Sequence, residues 1–545
     1  MVLKHRAGRF DRQYPAGEKQ EVGYLHWGAR NARGAGRNCT GGRPVGAYTF
    51  LPVFPGDGLM WIRKSDKDRQ QGRRTPIPTQ VVSNEEYIPM PQSEDQRRVE
   101  RRIFELADRL AGRRRMSRRQ YLGSAAGMAA AFLAMNEVFG RYFLVDWAEA
   151  SEAGAERESW PDFIFDAQLH HVKEGIVGPL GFRRLAGMFN LNPDLVGVKP
   201  GREDLQLENF TKEVFLDSET TMGIISGAPL GDDRYNILPV DMMVETRRTI
   251  NELAGSQRML SHGLAAPNVS GGLEEIERQA VELKVDGWKC YTGVPVNPWR
   301  MDDEEVAYPF YELALKLGIT NISVHKGLPI VGTDPEYCRP WDIRKAALDW
   351  PDLNFIVYHS GFKNLVNELA AGATGIDGNG YLVWTSDIVK DRLETPGMTN
   401  VYMELGSVFG HTAITHPEIC SHLLGQILKA FGSDHVIWGT DSIWWGSPQW
   451  QIEAFRRFEI PEALQEKHGY PALTREDKEL ILGLNSARMY GIDVPAALEA
   501  IPGDRLSRMR AAYLESGPQP SNTQYGWVHE GPLAEDPDVP WSTPI

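Results

Sequence analysis

The sequence predicts an α/β protein built on a (β/α)8 TIM barrel with an irregular N-terminal extension. Eight short segments rich in β-branched and aromatic residues recur between residues 160 and 500, and helix-length stretches separate them. Polar side chains stand at the carboxyl ends of several of these segments. No glycine-rich phosphate-binding motif follows any of them. This pattern fits a closed barrel better than an open doubly wound sheet.

The predicted strands share a length of seven or eight residues and a high content of β-branched and aromatic side chains. They span 163–170, 213–219, 258–264, 285–292, 319–325, 353–360, 400–406 and 435–441. In the first strand, period-two alternation predicts that Asp166, Gln168 and His170 point inward, while the apolar residues between them face the helices. In the fifth, Ser323 and His325 are expected to point inward in the same way.

Composition sets the class of protein. The chain has 545 residues, of which 42% are hydrophobic, so it can bury a large core. Its net charge of −14 argues against general nucleic-acid binding, which needs a basic surface. The cysteines, Cys39, Cys290, Cys338 and Cys420, form no CxxC pair, which favours separate thiols over a zinc ribbon or a disulfide framework. No apolar run is long enough to predict an integral membrane domain.

The chain divides into four regions by composition. Residues 1–93 begin with a basic, glycine-rich stretch (1–75), so we expect this extension to be disordered or to result from a mis-called start codon, with Met60 as the true one. Residues 94–159 predict a helical segment, 160–500 the barrel, and 501–545 a loop-like tail.

A twin-arginine-like stretch lies inside the helical segment. Residues 117–122 read SRRQYL and precede an apolar run, and 148–150 offer a small-x-small cleavage site. If Met116 is the true start, this pattern predicts export to the periplasm. If the preceding residues are genuine, it predicts a retained helix packed on the barrel of a cytoplasmic protein. Both alternatives stay open.

Four polar residues end the predicted strands: His170 the first, His325 the fifth, His359 the sixth and Asp441 the eighth. In a barrel these ends converge on one mouth. Two imidazoles and a carboxylate can hold a divalent metal and leave a position open for water, which is typical of a catalytic site. The metal would lower the pKa of that water, and a carboxylate could take up its proton.

Five motifs extend this pattern over the barrel. They are DAQLHH (166–171), ISVHKG (322–327), IVYHSG (356–361), IWGTDS (437–442) and LGLNSARMYGI (482–492). With them the chain resembles the amidohydrolase-related (amidohydrolase 2) branch of the amidohydrolase superfamily, over roughly residues 160–495. The branch contains hydrolases, lactonases and non-oxidative decarboxylases of small carboxylates.

The resemblance implies roles for the strand-end residues. One divalent metal ion, expected to be zinc with manganese as the alternative, would be held by His170, His325 and Asp441. His359 would polarise the substrate, and Asp441 would also shuttle the proton. Gln168 stands where the family usually has a histidine. Its neutral amide oxygen is a weaker ligand, which changes the expected metal affinity or identity. His171 should point elsewhere.

Further residues are candidates for substrate binding. Lys289 lies on the fourth strand, where it could contact a substrate carboxylate or be an ordinary surface cation. Glu404 and Glu219 could line the mouth or make structural hydrogen bonds. Trp444 could wall an apolar pocket or pack a helix. The glycine-rich segments 226–236 and 372–382 are typical of mobile mouth loops.

Three functions therefore stay open. The first is metal-dependent hydrolysis of an amide, ester or lactone bond in a small molecule. The second is metal-dependent decarboxylation of a small or aromatic carboxylate. The third is a metal-free barrel that serves as a binding or scaffold protein, which Gln168 makes conceivable. Barrels often associate, so a homo-oligomer is also an open alternative.

Overall fold

The computed structural model describes residues 60–72, 74–80, 82, 92–152, 163–174, 205–229, 236–294, 296–329, 333–363, 379–517 and 527–530. The basic, glycine-rich start of the chain lies outside these residues. So do residues 230–235 and 372–378 of the two expected mouth loops, 226–236 and 372–382.

Part of the N-terminal extension is structured. Strand β1 (Met60–Arg63) leads into helix α1 (Lys64–Gln71). The strand pairs antiparallel with residues 527–530 near the other end of the chain. Residues 60–72 are therefore ordered, and the expected disorder does not apply to them. The hydrogen-bond partner of β1 comes from the distant tail, and composition cannot reveal such a partner.

The described part of the predicted helical segment, residues 94–152, contains four helices. They are α2 (Glu94–Ala111), α3 (Arg118–Leu122), α4 (Ala125–Phe139) and α5 (Trp147–Ser151). Ser93, Ser117 and Asp146 begin α2, α3 and α5 with capping boxes, which satisfy the free amides of the first turn. The twin-arginine-like stretch thus forms the short capped helix α3.

Helix α4 packs on the barrel. The ring of Phe132 lies 4.7 Å from that of Phe143, which in turn lies 5.6 Å from Phe458. Glu149 and Arg457 form an ion pair at 2.8 Å. The buried residues of α4 belong to the same hydrophobic core as the barrel's outer layer. Among the described residues, no helix is both long and apolar enough to cross a bilayer.

Eight parallel strands follow, hydrogen-bonded in chain order. They are β2 (Phe165–Leu169), β3 (Met222–Ile225), β4 (Met259–Ala265), β5 (Gly287–Tyr291), β6 (Asn321–His325), β7 (Asn354–Tyr358), β8 (Val401–Glu404) and β9 (Val436–Ile437). The Asp441 amide donates to the Gln168 carbonyl (3.0 Å), and the His170 amide donates to the Ser442 carbonyl (2.6 Å). These bonds join the last strand segment to the first. The (β/α)8 barrel prediction is confirmed.

The second strand was placed wrongly. The segment 213–219 continues helix α6 (Leu207–Thr211) as a π-helical turn, Lys212–Leu216, and β3 begins only at Met222. A short apolar run fits a buried helix turn as well as a strand, so periodicity could not separate them. Glu219 therefore precedes β3, where it pairs with Arg456, and it does not line the mouth.

The interior of the barrel is apolar toward the amino ends of the strands. Phe165 and Ala167 lie in one buried apolar cluster with Ile224, Ile356 and Tyr358, residues of other strands that can meet only inside the barrel. The prediction that Phe165 and Ala167 face the helices is wrong. The pairing register of β2 shifts between Asp166 and Leu169, so simple alternation fails there.

The helices after the strands cover the barrel. They are α7 (Val240–Ala254), α8 (Gly272–Val281), α9 (Ala307–Leu317), α10 (Pro335–Cys338), α11 (Ile343–Asp349), α12 (Thr385–Glu394), α13 (Val408–Thr415), α14 (Pro417–Phe431), α15 (Gln449–Arg457), α16 (Glu462–His468), α17 (Arg475–Glu479) and α18 (Asn485–Met489). Single 3-10 turns span Pro340–Asp342, His359–Gly361, Ser433–His435 and Ile501–Gly503, and a π-helical turn spans Leu480–Leu484. Cys290, Cys338 and Cys420 are buried free thiols.

The tail is less irregular than its composition suggested. Helix α19 (Val494–Ala500) precedes it, and it contains helix α20 (Arg505–Glu515) and strand β10 (Trp527–Glu530). Asp504 caps α20 and also accepts a hydrogen bond from the buried Arg258 guanidinium at 2.9 Å. The sequence of the tail alone predicted loops. It could not show that Asp504 binds Arg258, which is far away in sequence.

Candidate active site

Four polar residues meet at the carboxyl ends of the strands. His170 follows β2, His325 ends β6, His359 follows β7, and Asp441 follows β9. All four are buried. The Nε2 atom of His170 lies 3.0 Å from Asp441 Oδ1, and Nε2 of His359 lies 3.2 Å from Nδ1 of His325. The barrel thus brings the residues selected from the sequence into two contacting pairs.

Each of these histidines is held by a backbone carbonyl. The contacts are His170 Nδ1 with Ser226 O at 2.7 Å, His325 Nε2 with Leu328 O at 3.0 Å, and His359 Nδ1 with Gly406 O at 2.9 Å. A carbonyl oxygen only accepts, so the nitrogen that faces it carries the hydrogen. In the neutral ring the other nitrogen then has a free lone pair. This is the usual arrangement of histidines that bind metals.

The free lone pairs face other acceptors. His359 Nε2 faces His325 Nδ1, and His170 Nε2 faces the carboxylate of Asp441. Two acceptors in contact repel each other unless a proton or a cation lies between them. A hydrogen on His170 Nε2 makes its contact with Asp441 a hydrogen bond, and a bound cation would take the place of that hydrogen. Burial lowers the pKa of His359 to about 4 and that of His325 well below its usual value, so protonation of these rings is disfavoured.

The spacing also fits a divalent cation. Two nitrogens that each lie about 2.1 Å from one tetrahedral ion are about 3.4 Å apart. That is close to the distance between His325 and His359. Within the described parts of the chain, no three His, Cys, Asp or Glu side chains already surround a single point. The donor set therefore fits a metal ion, as two pairs of ligands rather than a finished cage.

Gln168 lies beside both members of one pair, His170 and Asp441. Its Nε2 donates to Asp441 Oδ1 (3.0 Å) and lies 3.4 Å from His170 Nε2. Its Oε1 is buried without a hydrogen-bond partner among the described residues. The two ends of an amide are assigned from hydrogen bonding, and a half-turn would place Oε1 beside the same two residues. Gln168 can therefore satisfy the two acceptors itself or add a neutral ligand beside them.

Asp441 is held at both oxygens. Oδ2 accepts a hydrogen bond from the Ser407 hydroxyl, and Oδ1 accepts one from Gln168. Burial alone would raise the pKa of Asp441, but the hydrogen bond and charge interaction with His170 and the Ser407 hydrogen bond hold it well below its usual range. Asp441 is thus a fixed, ionised carboxylate, suited to bind a cation or accept a proton. Ser407 was not selected from the sequence, although it closely follows the end of β8.

Glu404 braces the site from below. Its Oε2 accepts from the His359 amide (3.1 Å) and its Oε1 from the Gly406 amide (2.6 Å). Burial raises the pKa of Glu404 to about 8, although the bond from the His359 amide opposes this shift. Both oxygens therefore have backbone partners, and the contact between Glu404 and substrate stays a prediction.

Lys289 points into the barrel. The side chain is fully buried, and its Nζ lies 3.3 Å from the ring centroid of Tyr358 and 5.2 Å from that of Tyr291. Among the described residues the Nζ has no hydrogen-bond partner. Burial lowers the pKa of Lys289 to about 7. This position excludes the surface-cation alternative.

Aromatic residues border the histidines. The Trp444 ring lies 6.1 Å from His170, and Tyr291 stacks on His325 at 4.6 Å. Trp450, by contrast, belongs to the hydrophobic core. His171 turns away from the site as expected, because its Nε2 lies 2.7 Å from the Thr246 hydroxyl. Tyr291 was not selected from the sequence, where nothing distinguished it from other strand aromatics.

One of the comparisons with known proteins gives a family. The family model for amidohydrolases matches residues 242–492. No curated protein matches the sequence. Solved structures give distant matches. One is an uncharacterised TIM-barrel protein from Bordetella bronchiseptica, with 16% identity over 60% of this chain and 98% of that chain, and a TM-score of 0.41.

Two further structures carry activities in their descriptions. A probable 2-pyrone-4,6-dicarboxylic acid hydrolase from Acinetobacter baumannii is 10% identical over 60% of this chain and 99% of its own, with a TM-score of 0.35. A dihydroxybenzoic acid decarboxylase from a Polaromonas species, with bound manganese, is 16% identical over 61% and 98%, with a TM-score of 0.34. The amidohydrolase family model thus matches most of the barrel, and residues 242–492 are similar to that family.

Proposed function

We propose that this protein is a metal-dependent hydrolase that cleaves an amide, ester or lactone bond of a small molecule. The observation that carries the proposal is the fixed carboxylate of Asp441. Both of its oxygens accept hydrogen bonds, and Oδ1 lies 3.0 Å from His170 Nε2. An ionised carboxylate held beside histidine lone pairs can bind a cation and also take up a proton from water.

His170, His325 and Asp441 would hold the ion, with Gln168 as a neutral neighbour and His359 close enough to His325 to be a further nitrogen ligand. A divalent ion, when bound, makes hydroxide available near neutral pH and polarises a carbonyl oxygen. Asp441 would accept the proton that the attacking water loses and would later deliver it to the leaving group. His359 keeps its hydrogen on Nδ1, toward Gly406 O, so its Nε2 accepts rather than donates. It can polarise a substrate oxygen only after taking up a proton.

The buried position of Lys289 favours a substrate with a negatively charged group. A buried ammonium without a hydrogen-bond partner is costly, and an anionic group of the substrate would offset that cost. We propose that Lys289 contacts a substrate carboxylate and that Trp444 borders the pocket. The same cation makes decarboxylation the second candidate function, because it could hold the carboxylate that reacts.

Product analysis tests the proposal. The purified protein, loaded with zinc or manganese, is incubated with panels of amides, lactones and aromatic carboxylic acids, and products are identified by mass spectrometry. We expect a product heavier than the substrate by one water, or two fragments that together contain it, and no turnover by Asp441→Asn. Release of carbon dioxide would replace hydrolysis by the second candidate. A metal-loaded protein inactive on both kinds of substrate would contradict both.

A further inference from the structure

A sharp turn follows strand β8. The Val408 amide donates to the Gly406 carbonyl at 2.7 Å, two residues back, and the central residue Ser407 has φ 61° and ψ −47°. This is a γ-turn of the rare, strained kind. A side chain at positive φ costs free energy, and such strain persists only where the surrounding structure imposes it.

The turn contacts both halves of the candidate site. The Gly406 carbonyl also accepts from His359 Nδ1, at 2.9 Å. The Ser407 hydroxyl donates to Asp441 Oδ2 and accepts from the Trp445 indole N–H at 2.9 Å. One three-residue turn therefore sets the hydrogen position on His359 and holds the carboxylate of Asp441.

The direction of the Ser407 hydroxyl follows from its two partners. An indole N–H only donates and a carboxylate only accepts, so the single hydroxyl hydrogen must point to Asp441. This hydrogen bond fixes Oδ2 of Asp441 on the side of Ser407. Oδ1 is the oxygen that remains beside His170 and Gln168.

We infer that Ser407 is a positioning residue that orients Asp441, so that Oδ1 is presented to the cation and to the transferred proton. The inference rests on the proposed function, in which Asp441 is a metal ligand. A turn that served the backbone alone would favour glycine, which adopts positive φ without strain. Serine at this position adds strain and supplies the hydroxyl.

The test separates these two roles with Ser407→Gly. This variant removes the strain and the hydroxyl together, so a backbone role predicts an unchanged or better protein. Lys284→Gly is the matched control, because Lys284 is exposed and also has positive φ (55°). Affinity for Mn²⁺ is measured by calorimetry, Tm by thermal denaturation, and the Asp441 side-chain conformation by crystallography without added metal.

We expect Ser407→Gly to keep the Tm of the wild type while Mn²⁺ affinity falls about 10- to 100-fold, the usual effect of losing a hydrogen bond to a ligand. The Asp441 carboxylate should rotate or occupy two conformations. Lys284→Gly should change neither property. Wild-type affinity together with an unmoved Asp441 in Ser407→Gly would overturn the inference.

A second variant and a second measurement allow the inference to be tested even if Ser407→Gly does not fold or the wild type binds no metal. Trp445→Phe keeps an aromatic ring but removes the N–H that directs Ser407, so it should weaken Mn²⁺ binding less than Ser407→Gly does. If Ser407→Gly fails to fold, an unchanged affinity in Trp445→Phe overturns the inference. If the wild type binds no metal, the proposed function fails, but the conformation of Asp441 in the variants still decides whether Ser407 orients it.

Discussion

The Nε2 atom of His359 lies 3.2 Å from Nδ1 of His325, and both nitrogens carry lone pairs because the opposite nitrogen of each ring faces a carbonyl. This contact predicts that metal removal destabilises the protein. A metal that binds only the folded state at 100 times its Kd adds about 2.7 kcal/mol to the free energy of unfolding. Tm should therefore fall with a chelator and recover with Mn²⁺ or Zn²⁺. His325→Ala should abolish this change in Tm. A wild-type protein whose Tm does not change with chelator or metal would contradict the prediction.

Gln168→Glu should make stability depend on metal more strongly. The new carboxylate would lie beside Asp441 Oδ1, which now accepts from the Gln168 amide at 3.0 Å. Without metal, two buried carboxylates in contact repel each other, so the free energy of unfolding should fall by about 1–3 kcal/mol. With Mn²⁺, the added charged ligand should raise metal affinity above that of the wild type. Equal Mn²⁺ affinities in calorimetry would show that residue 168 is not beside the ion.

Lys289→Met should remove a pH dependence of stability. Burial lowers the pKa of Lys289 to about 7, below its value of 10.5 in the unfolded chain. Between these values the unfolded state binds more protons, so the free energy of unfolding rises with pH above about 7. From pH 7 to 9 the wild type should gain about 1–3 kcal/mol relative to Lys289→Met. Urea denaturation at both pH values measures this, and Lys316→Met, at an exposed lysine, should follow the wild type.

Phe132→Ala should destabilise the whole protein, since α4 shares its core with the barrel. Truncating a buried phenylalanine costs about 3–5 kcal/mol. Leu144→Ala, at an exposed leucine, should cost less than about 0.5 kcal/mol. We propose that residues 116–151 are retained in the folded protein, and these expected values follow from that proposal. Intact-mass analysis of the purified protein checks this directly. A stable product that begins after Ala150 would favour the export alternative instead.

Local patterns were enough to place most of the barrel. β6 and β7 combine a polar residue at the carboxyl end with short apolar runs, so His325 and His359 could be placed from the sequence. β3 could not, because Val214, Phe215 and Leu216 form an apolar run that suits a helical turn equally well. The inward face of β2 was misplaced because a register shift interrupts its alternation.

Tertiary contacts account for the rest. The role of Ser407 depends on a backbone conformation and on Trp445, neither of which leaves a sequence pattern. Glu404 was selected as a mouth residue, but whether its carboxylate faces substrate or backbone amides depends on the turn that follows β8. Strand β1 could not be recognised without β10, its partner near the other end of the chain.

Metal content is the most direct test of the central claim. The protein is purified without added metal and measured by mass spectrometry, wild type beside His325→Ala and Asp441→Ala, before and after incubation with zinc and manganese. The account predicts about one divalent ion for each wild-type chain, lost in both variants, and the measurement also identifies the ion. A wild type without metal after both incubations would contradict the hydrolase mechanism and favour a metal-free binding protein.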